Sequence, residues 1–182
     1  MSNDPDLALV ERYRKGDTAA FTELVIRYQR PIYNAAFWIL HSADDARDVA
    51  QDVFLRVAEH FDEFDGQHRF FSWIYRIAVN EALNLLRRNG HEEWLDDEID
   101  LPGADTANPE SLAGDAERSR HIRRALMCLS RNDRTVLVLR HFSECSYQEI
   151  ADILEIDEKT VKSRLFEARH RLRDALKDFR PT

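Results

Sequence analysis

The residues of this 182-residue chain best suited to chemistry lie between Tyr147 and Lys177. Ile150, Ala151, Leu154, Ile156 and Val161 have the spacing of a helix-turn-helix, in which a small residue on the first helix lets the second pack across it. The second helix has an apolar stripe of Val161, Leu165, Ala168, Leu172 and Phe179. Its other faces carry Lys159, Lys162, Arg164, Arg169, Arg171, Arg173 and Lys177 against two acidic residues. Such a helix offers cations to phosphates and aims its N-terminal residues at base edges in the major groove. The plainer alternative is a solvated helix in an ordinary bundle. Glu155 stands where a helix-turn-helix often has glycine in its turn.

A second candidate stripe is Trp73, Arg76, Asn80, Asn84 and Arg87, with Arg88 adjacent. Rings stack on bases, amides read exposed base edges and cations follow the backbone, so this combination suits single-stranded nucleic acid. The loop Asp65-Gly66-Gln67-His68-Arg69 precedes it and can approach a base. The competing reading is a half-buried Trp beside ordinary polar surface. A third face, Asp48, Gln51, Asp52 and Leu55 with Asp45 one turn earlier, sets an exposed leucine among carboxylates. That pattern fits docking on a basic protein partner, and its alternative is a solvated acidic face.

Catalysis finds little support in these residues. The seven His show no H-x-x-x-H spacing, and Cys128 and Cys145 form no C-x-x-C, so neither a metal site nor a disulfide framework is expected. No glycine-rich phosphate loop and no G-x-S-x-G occurs. The expectation is a protein that is not an enzyme and needs no cofactor. No apolar run reaches membrane-spanning length and the N-terminus has no signal-peptide pattern, which points to a soluble cytoplasmic protein without membrane insertion.

The elements that must position these faces are helices. An overall charge of −8 hides a sharp division. Residues 1–88 carry 14 acidic and 11 basic residues, 89–117 carry 10 acidic and none basic, and 118–182 carry 10 acidic and 15 basic. The acidic stretch holds Pro102, Pro109 and three of the five glycines without helical periodicity, and reads as a linker. Ahead of it, a short helix is expected after Asp4-Pro5, ending at Gly16. A long helix capped by Asp17 runs through Pro31 without losing phase and is expected to kink there, a third is capped by Ser42, and a fourth spans about Phe70 to Arg88. Phe71, Ile74, Ala78, Ala82 and Leu85 should face inward on the fourth. Beyond the linker come a helix bearing Ile122, Leu126 and Leu129, one started by Ser130 and Asp133, and one opened by the Ser146–Glu149 capping box. The fold class is all-α: two helical domains joined by an acidic flexible linker, with a helix-turn-helix in the second.

Three segments in this order resemble the extracytoplasmic-function (ECF) group of bacterial RNA polymerase sigma factors. Asp45 to Arg56 (DARDVAQDVFLR) resembles the group's core-polymerase-binding helix. Phe71 to Asn80 (FSWIYRIAVN), continuing to Asn84, Arg87 and Arg88, resembles its helix for the promoter's minus-ten element. Thr160 to Leu165 (TVKSRL), with Ala168-Arg169, resembles its minus-thirty-five recognition helix. The resemblance implies a protein that binds core RNA polymerase and directs promoter recognition, DNA melting and transcription initiation. Residues 1–90 would form a region-2-like domain, 91–117 the linker and 118–182 a region-4-like domain.

The implied contacts follow residue by residue. Asp48, Gln51, Asp52 and Leu55 would dock on the polymerase. His68, Arg69, Trp73, Arg76, Asn80, Asn84, Arg87 and Arg88 would take the melted minus-ten strand. Lys159, Thr160, Lys162, Ser163, Arg164, Phe166, Glu167 and Arg169 would hold the minus-thirty-five duplex. Many members have Asp where Asn84 stands and a basic residue where Glu167 stands. Glu167 shares a surface with Ser163 and Arg164, so it either accepts from a cytosine N4 or pairs with Arg164 or Arg171. An anti-sigma factor is a further partner the resemblance implies. The competing class is a stand-alone helix-turn-helix regulator acting on duplex operator DNA without polymerase.

Overall fold

The computed structural model describes residues 4–88 and 120–178. The first unit contains α1 (Leu7–Arg14), α2 (Thr18–Leu40), α3 (Ala43–Glu59), a 3-10 turn (Phe61–Glu63) and α4 (Phe70–Arg88). The second contains α5 (120–127), α6 (Arg131–His141), α7 (Tyr147–Leu154) and α8 (Glu158–Asp178). No strand occurs among the described residues, and the all-α class holds. The linker stretch and Phe179 lie outside the described residues.

Local chemistry explains most boundaries. Gly16 takes a positive φ of 92° after α1, and the Asp17 carboxylate then accepts from Ala19 N–H at 3.1 Å to start α2. The helix is continuous through Pro31 and ends at His41, whose φ of 59° is left-handed. Ser42 follows at once and its hydroxyl accepts from Asp45 N–H at 3.2 Å, so two residues turn the chain from α2 into α3. Ser130 repeats the device for α6, accepting from Asp133 N–H at 3.2 Å.

The start of α1 differs from expectation. Asp4 is not its cap; the helix begins at Leu7, with Asp6 at the cap position making no side-chain cap bond. The Asp4 carboxylate is instead drawn to two other backbone donors. It accepts from Asp6 N–H at 3.1 Å and from Phe70 N–H at 2.7 Å, where the first turn of α4 has donors that no helical carbonyl can reach. Asp6 is itself buried and bound by Arg27 and the Tyr28 hydroxyl. Two acids in the first six residues therefore tie α1, α2 and the beginning of α4 together.

Both units share one apolar cluster, with α4 packed on α7 and α2 on α6. Ile74, Ala78 and Ala82 are buried as expected, whereas Phe71 and Leu85 are half-buried. Tyr75 and Val79 are buried as well, because α4 is covered on a second side by the C-terminal unit. Trp38 of α2 meets Phe142, after α6, with ring centroids 4.2 Å apart. Arg134 of α6, 5% exposed, donates to Leu126 O at 3.1 Å and across the interface to Ile39 O at 2.8 Å. These carbonyls lie in the last turns of α5 and α2, where helix dipoles favour a cation.

Candidate nucleic-acid interface

The helix-turn-helix is set by its caps. Ser146 Oγ accepts from Glu149 N–H at 3.2 Å while the Glu149 carboxylate accepts from Ser146 N–H at 2.9 Å, closing the expected capping box. Helix α7 stops at Glu155, which adopts the left-handed conformation (φ 54°, ψ 43°) usually given to glycine. The turn forms with Glu there, and Ile156 N–H donates back to Ala151 O at 3.1 Å. Asp157 then accepts from the Thr160 hydroxyl and N–H, both at 2.7 Å, and these bonds hold its carboxyl below the usual carboxylate range.

On α8, Val161, Leu165 and Ala168 are buried, Leu172 is half-buried, and Lys159, Lys162, Ser163, Phe166, Glu167 and Arg169 are exposed. Thr160 and Arg164 are half-buried. Lys162 pairs with Glu158 at 2.5 Å and lies 5.7 Å from the Tyr147 ring centre. Ser163 Oγ donates to Thr160 O at 3.2 Å. Arg169 Nε donates to His141 Nε2 at 3.4 Å; burial, then Arg169 and Arg140, lowers the His141 pKa and keeps that acceptor neutral. Glu167 pairs with Arg171 at 3.3 Å, and Arg171 also binds the buried Asp133 of α6.

The α4 face is divided. Trp73 turns toward Phe64 and Phe70, with ring centroids at 5.4 and 5.6 Å, and stays half-buried at the edge of the core. Arg76, one turn along, faces α7: it donates to Glu155 at 3.1 Å and to Asp152 O at 2.7 Å. Arg69 pairs with Glu149 at 2.5 Å and His68 Nδ1 lies 3.5 Å from an Asp152 oxygen. Asn80 is exposed and lines a cleft shared with Asn132, Glu155 and Arg164. Asn84, Arg87 and Arg88 continue the stripe in solvent. The structure thus gathers His68, Arg69, Arg76 and Asn80 beside α7 and sets Trp73 apart from them.

On α3, Asp48, Gln51, Asp52 and Leu55 are all exposed, with Leu55 55% accessible. Ile26 of α2 is 65% accessible and escapes sequence reasoning, because it sits within an apolar run whose neighbours Leu24 and Tyr28 are core. The roles of Asp4, His41 and Arg134 were equally invisible, because each depends on a partner 66 to 95 residues away. Among the described residues no group of three His, Cys, Asp or Glu is placed to hold a metal. Burial pushes the Cys145 thiol up to about 12, so it remains a neutral thiol.

Known proteins match this arrangement along nearly the whole chain. Residues 24–92 match the family model for Sigma-70 region 2, and residues 119–172 the model for Sigma-70, region 4. The RNA polymerase sigma-H factor of Pseudomonas aeruginosa is 34% identical over 97% of this chain and 96% of its own. The ECF RNA polymerase sigma factor SigW of Bacillus subtilis is 34% identical over 93% and 95%, and the ECF RNA polymerase sigma-E factor of Escherichia coli is 36% identical over 90% of each. CnrH, solved in complex with the cytosolic domain of CnrY, superposes with a TM-score of 0.76 at 26% identity, covering 97% of this chain and all of that one. The stand-alone regulator is set aside, since both sigma regions are matched in order. With end-to-end relatives above 30% identity, the chain belongs to the ECF sigma factors and functions as one in promoter-directed transcription.

Proposed function

We propose that the three faces divide the work of initiation. The exposed acidic face of α3, with Leu55 at its C-terminal end, docks on a basic surface of core RNA polymerase. The loop at His68 and Arg69 and the α4 stripe from Arg76 to Arg88 take the melted minus-ten strand, with Trp73 at its margin. Helix α8 enters the minus-thirty-five duplex, where Lys159, Lys162 and Arg169 meet phosphates and Ser163 and Phe166 reach bases. Thr160 serves by fixing the helix start. The work is binding and positioning of DNA, with no catalytic step assigned to this chain. The domain division at 1–90, 91–117 and 118–182 is part of the same reading.

The observation that carries it is the exposure of Asp48, Gln51, Asp52 and Leu55 together on a helix whose opposite side is core. A large exposed leucine ringed by carboxylates gains nothing from folding and fits a protein partner. Among the described helices none is long and apolar enough to cross a membrane, and work on RNA polymerase supports a cytoplasmic location. CnrH is described in complex with the cytosolic domain of CnrY, which supports a protein partner here besides polymerase, and an anti-sigma factor is the partner that the family resemblance implies. The test is Asp48→Arg with Leu55→Arg. Stability should change by no more than about 0.5 kcal/mol, as for surface positions, while binding to purified core polymerase should be lost. Retention of binding would remove the docking assignment.

A further inference from the structure

The docking helix α3 carries two cations, Arg47 and Arg56, and both are held by acids outside the docking face. Arg47 pairs with Asp44 at 2.7 Å, and Arg56 Nε reaches across to Glu81 Oε1 of α4 at 3.2 Å. The second choice runs against the local pattern. Arg56 stands four residues after Asp52, the acid-before-base spacing that favours an ion pair along one helix. Among the described residues, however, Asp52 makes no ion pair. The cause lies in α4, which packs on α3 and whose one acid, Glu81, is 8% exposed. A buried carboxylate without a counter-ion costs far more than an exposed pair within a helix contributes, so the burial of Glu81 decides where Arg56 goes.

We propose that Glu81 is a positioning residue for polymerase docking: it holds Arg56 away from Asp52 and leaves the Asp52 carboxylate open to a cation of the polymerase. The inference rests on the reading of α3 as the docking face. Asp48, Asp52 and Arg56 follow one another at four-residue steps and form one row along the helix. The Arg56 side chain is 52% exposed and that of Glu81 10%, so the arginine borders the partner's side while the acid anchors it from the core side. Were Asp52 to capture Arg56, the charge in the middle of the row would be cancelled where a basic partner needs it.

The test measures binding of the full chain to purified core RNA polymerase, with thermal melting alongside. Glu81→Gln keeps the shape of the side chain but offers a neutral amide, so the Arg56 guanidinium turns to the charged Asp52. Binding should weaken about threefold at low salt, the scale of one exposed charge pair, and the difference should shrink as salt rises. Adding Arg56→Gln should restore wild-type affinity, because no cation is then left to occupy Asp52. In an Asp52→Asn background, itself weaker than wild type, Glu81→Gln should cause no further loss. Glu81→Leu, suited to a buried position, gives the same readout if the amide variant does not fold. Unchanged binding by the Glu81 variant would overturn the proposal, as would a loss that Arg56→Gln fails to rescue, which would leave Glu81 a support of the fold alone. Full binding by Asp52→Asn would instead refute the docking reading of α3, and this inference with it.

Discussion

Lowering pH from 7 to 5 should weaken this fold through His41 by an amount that the structure sets. The His41 ring is buried, with Phe37 and Trp38 centroids at 6.4 and 6.2 Å, and the guanidinium groups of Arg134 and Arg123 act on it from the C-terminal unit. Burial first, then the two arginines, lowers its pKa from 6.5 to about 3. The folded state therefore holds a neutral ring that the unfolded state protonates readily. A depressed histidine contributes fully above its unfolded value of 6.5 and loses that contribution as pH falls toward 3. At pH 5 the loss is about 2 kcal/mol, or roughly thirtyfold in the folding equilibrium. Urea unfolding at pH 7 and pH 5 measures it, with His41→Asn as reference, because Asn tolerates the left-handed backbone and does not titrate in this range. Other groups cancel in the difference between the two proteins. Equal pH slopes for wild type and His41→Asn would refute the reasoning.

Three further outcomes follow from named contacts. Arg134→Met removes two good charge-assisted bonds, at 2.8 and 3.1 Å, from helix-terminal carbonyls; it should cost about 3 kcal/mol, read as a lower urea midpoint at constant m-value. Asp4→Ala leaves Phe70 N–H without its acceptor and should cost about 1–2 kcal/mol, with faster hydrogen exchange in the first turn of α4. Because Glu167 pairs with Arg171 at 3.3 Å, Glu167→Gln and Glu167→Arg should bind minus-thirty-five duplexes more tightly with no change in base preference. Selection from a randomised element checks that, and a shifted preference at one or two base pairs would restore base readout by Glu167.

The sequence made legible whatever depends on neighbours along the chain. Asp17, Ser42, Ser130 and the Ser146–Glu149 box cap helices as their local patterns require, and Val161, Leu165 and Ala168 of the α8 stripe are buried. Exposure of the α3 acidic face was legible too, since a helix with one apolar stripe must present its other side to water. What was hidden depends on partners far away in sequence. Asp4 looked like a helix cap, yet its carboxylate serves Phe70, 66 residues on. The stripe on α4 read as one continuous surface, but Trp73 turns to the core while Arg76 turns to α7. Periodicity assigns residues to a face and does not say which second element will cover it. Glu155 shows the same limit for turns: the tertiary contact with Arg76 and the packing of α7 on α8 accompany a left-handed backbone that its residue type disfavours.

The central claim, that this chain directs RNA polymerase to promoters, is tested most directly by reconstitution with purified core enzyme on a genomic promoter library, followed by sequencing of the transcripts. The account predicts discrete start sites only when chain and core are both present, each downstream of a shared pair of minus-thirty-five and minus-ten elements, and their loss with Asp48→Arg and Leu55→Arg. Specific duplex binding by the chain alone, with no new start sites in the presence of core, would contradict it.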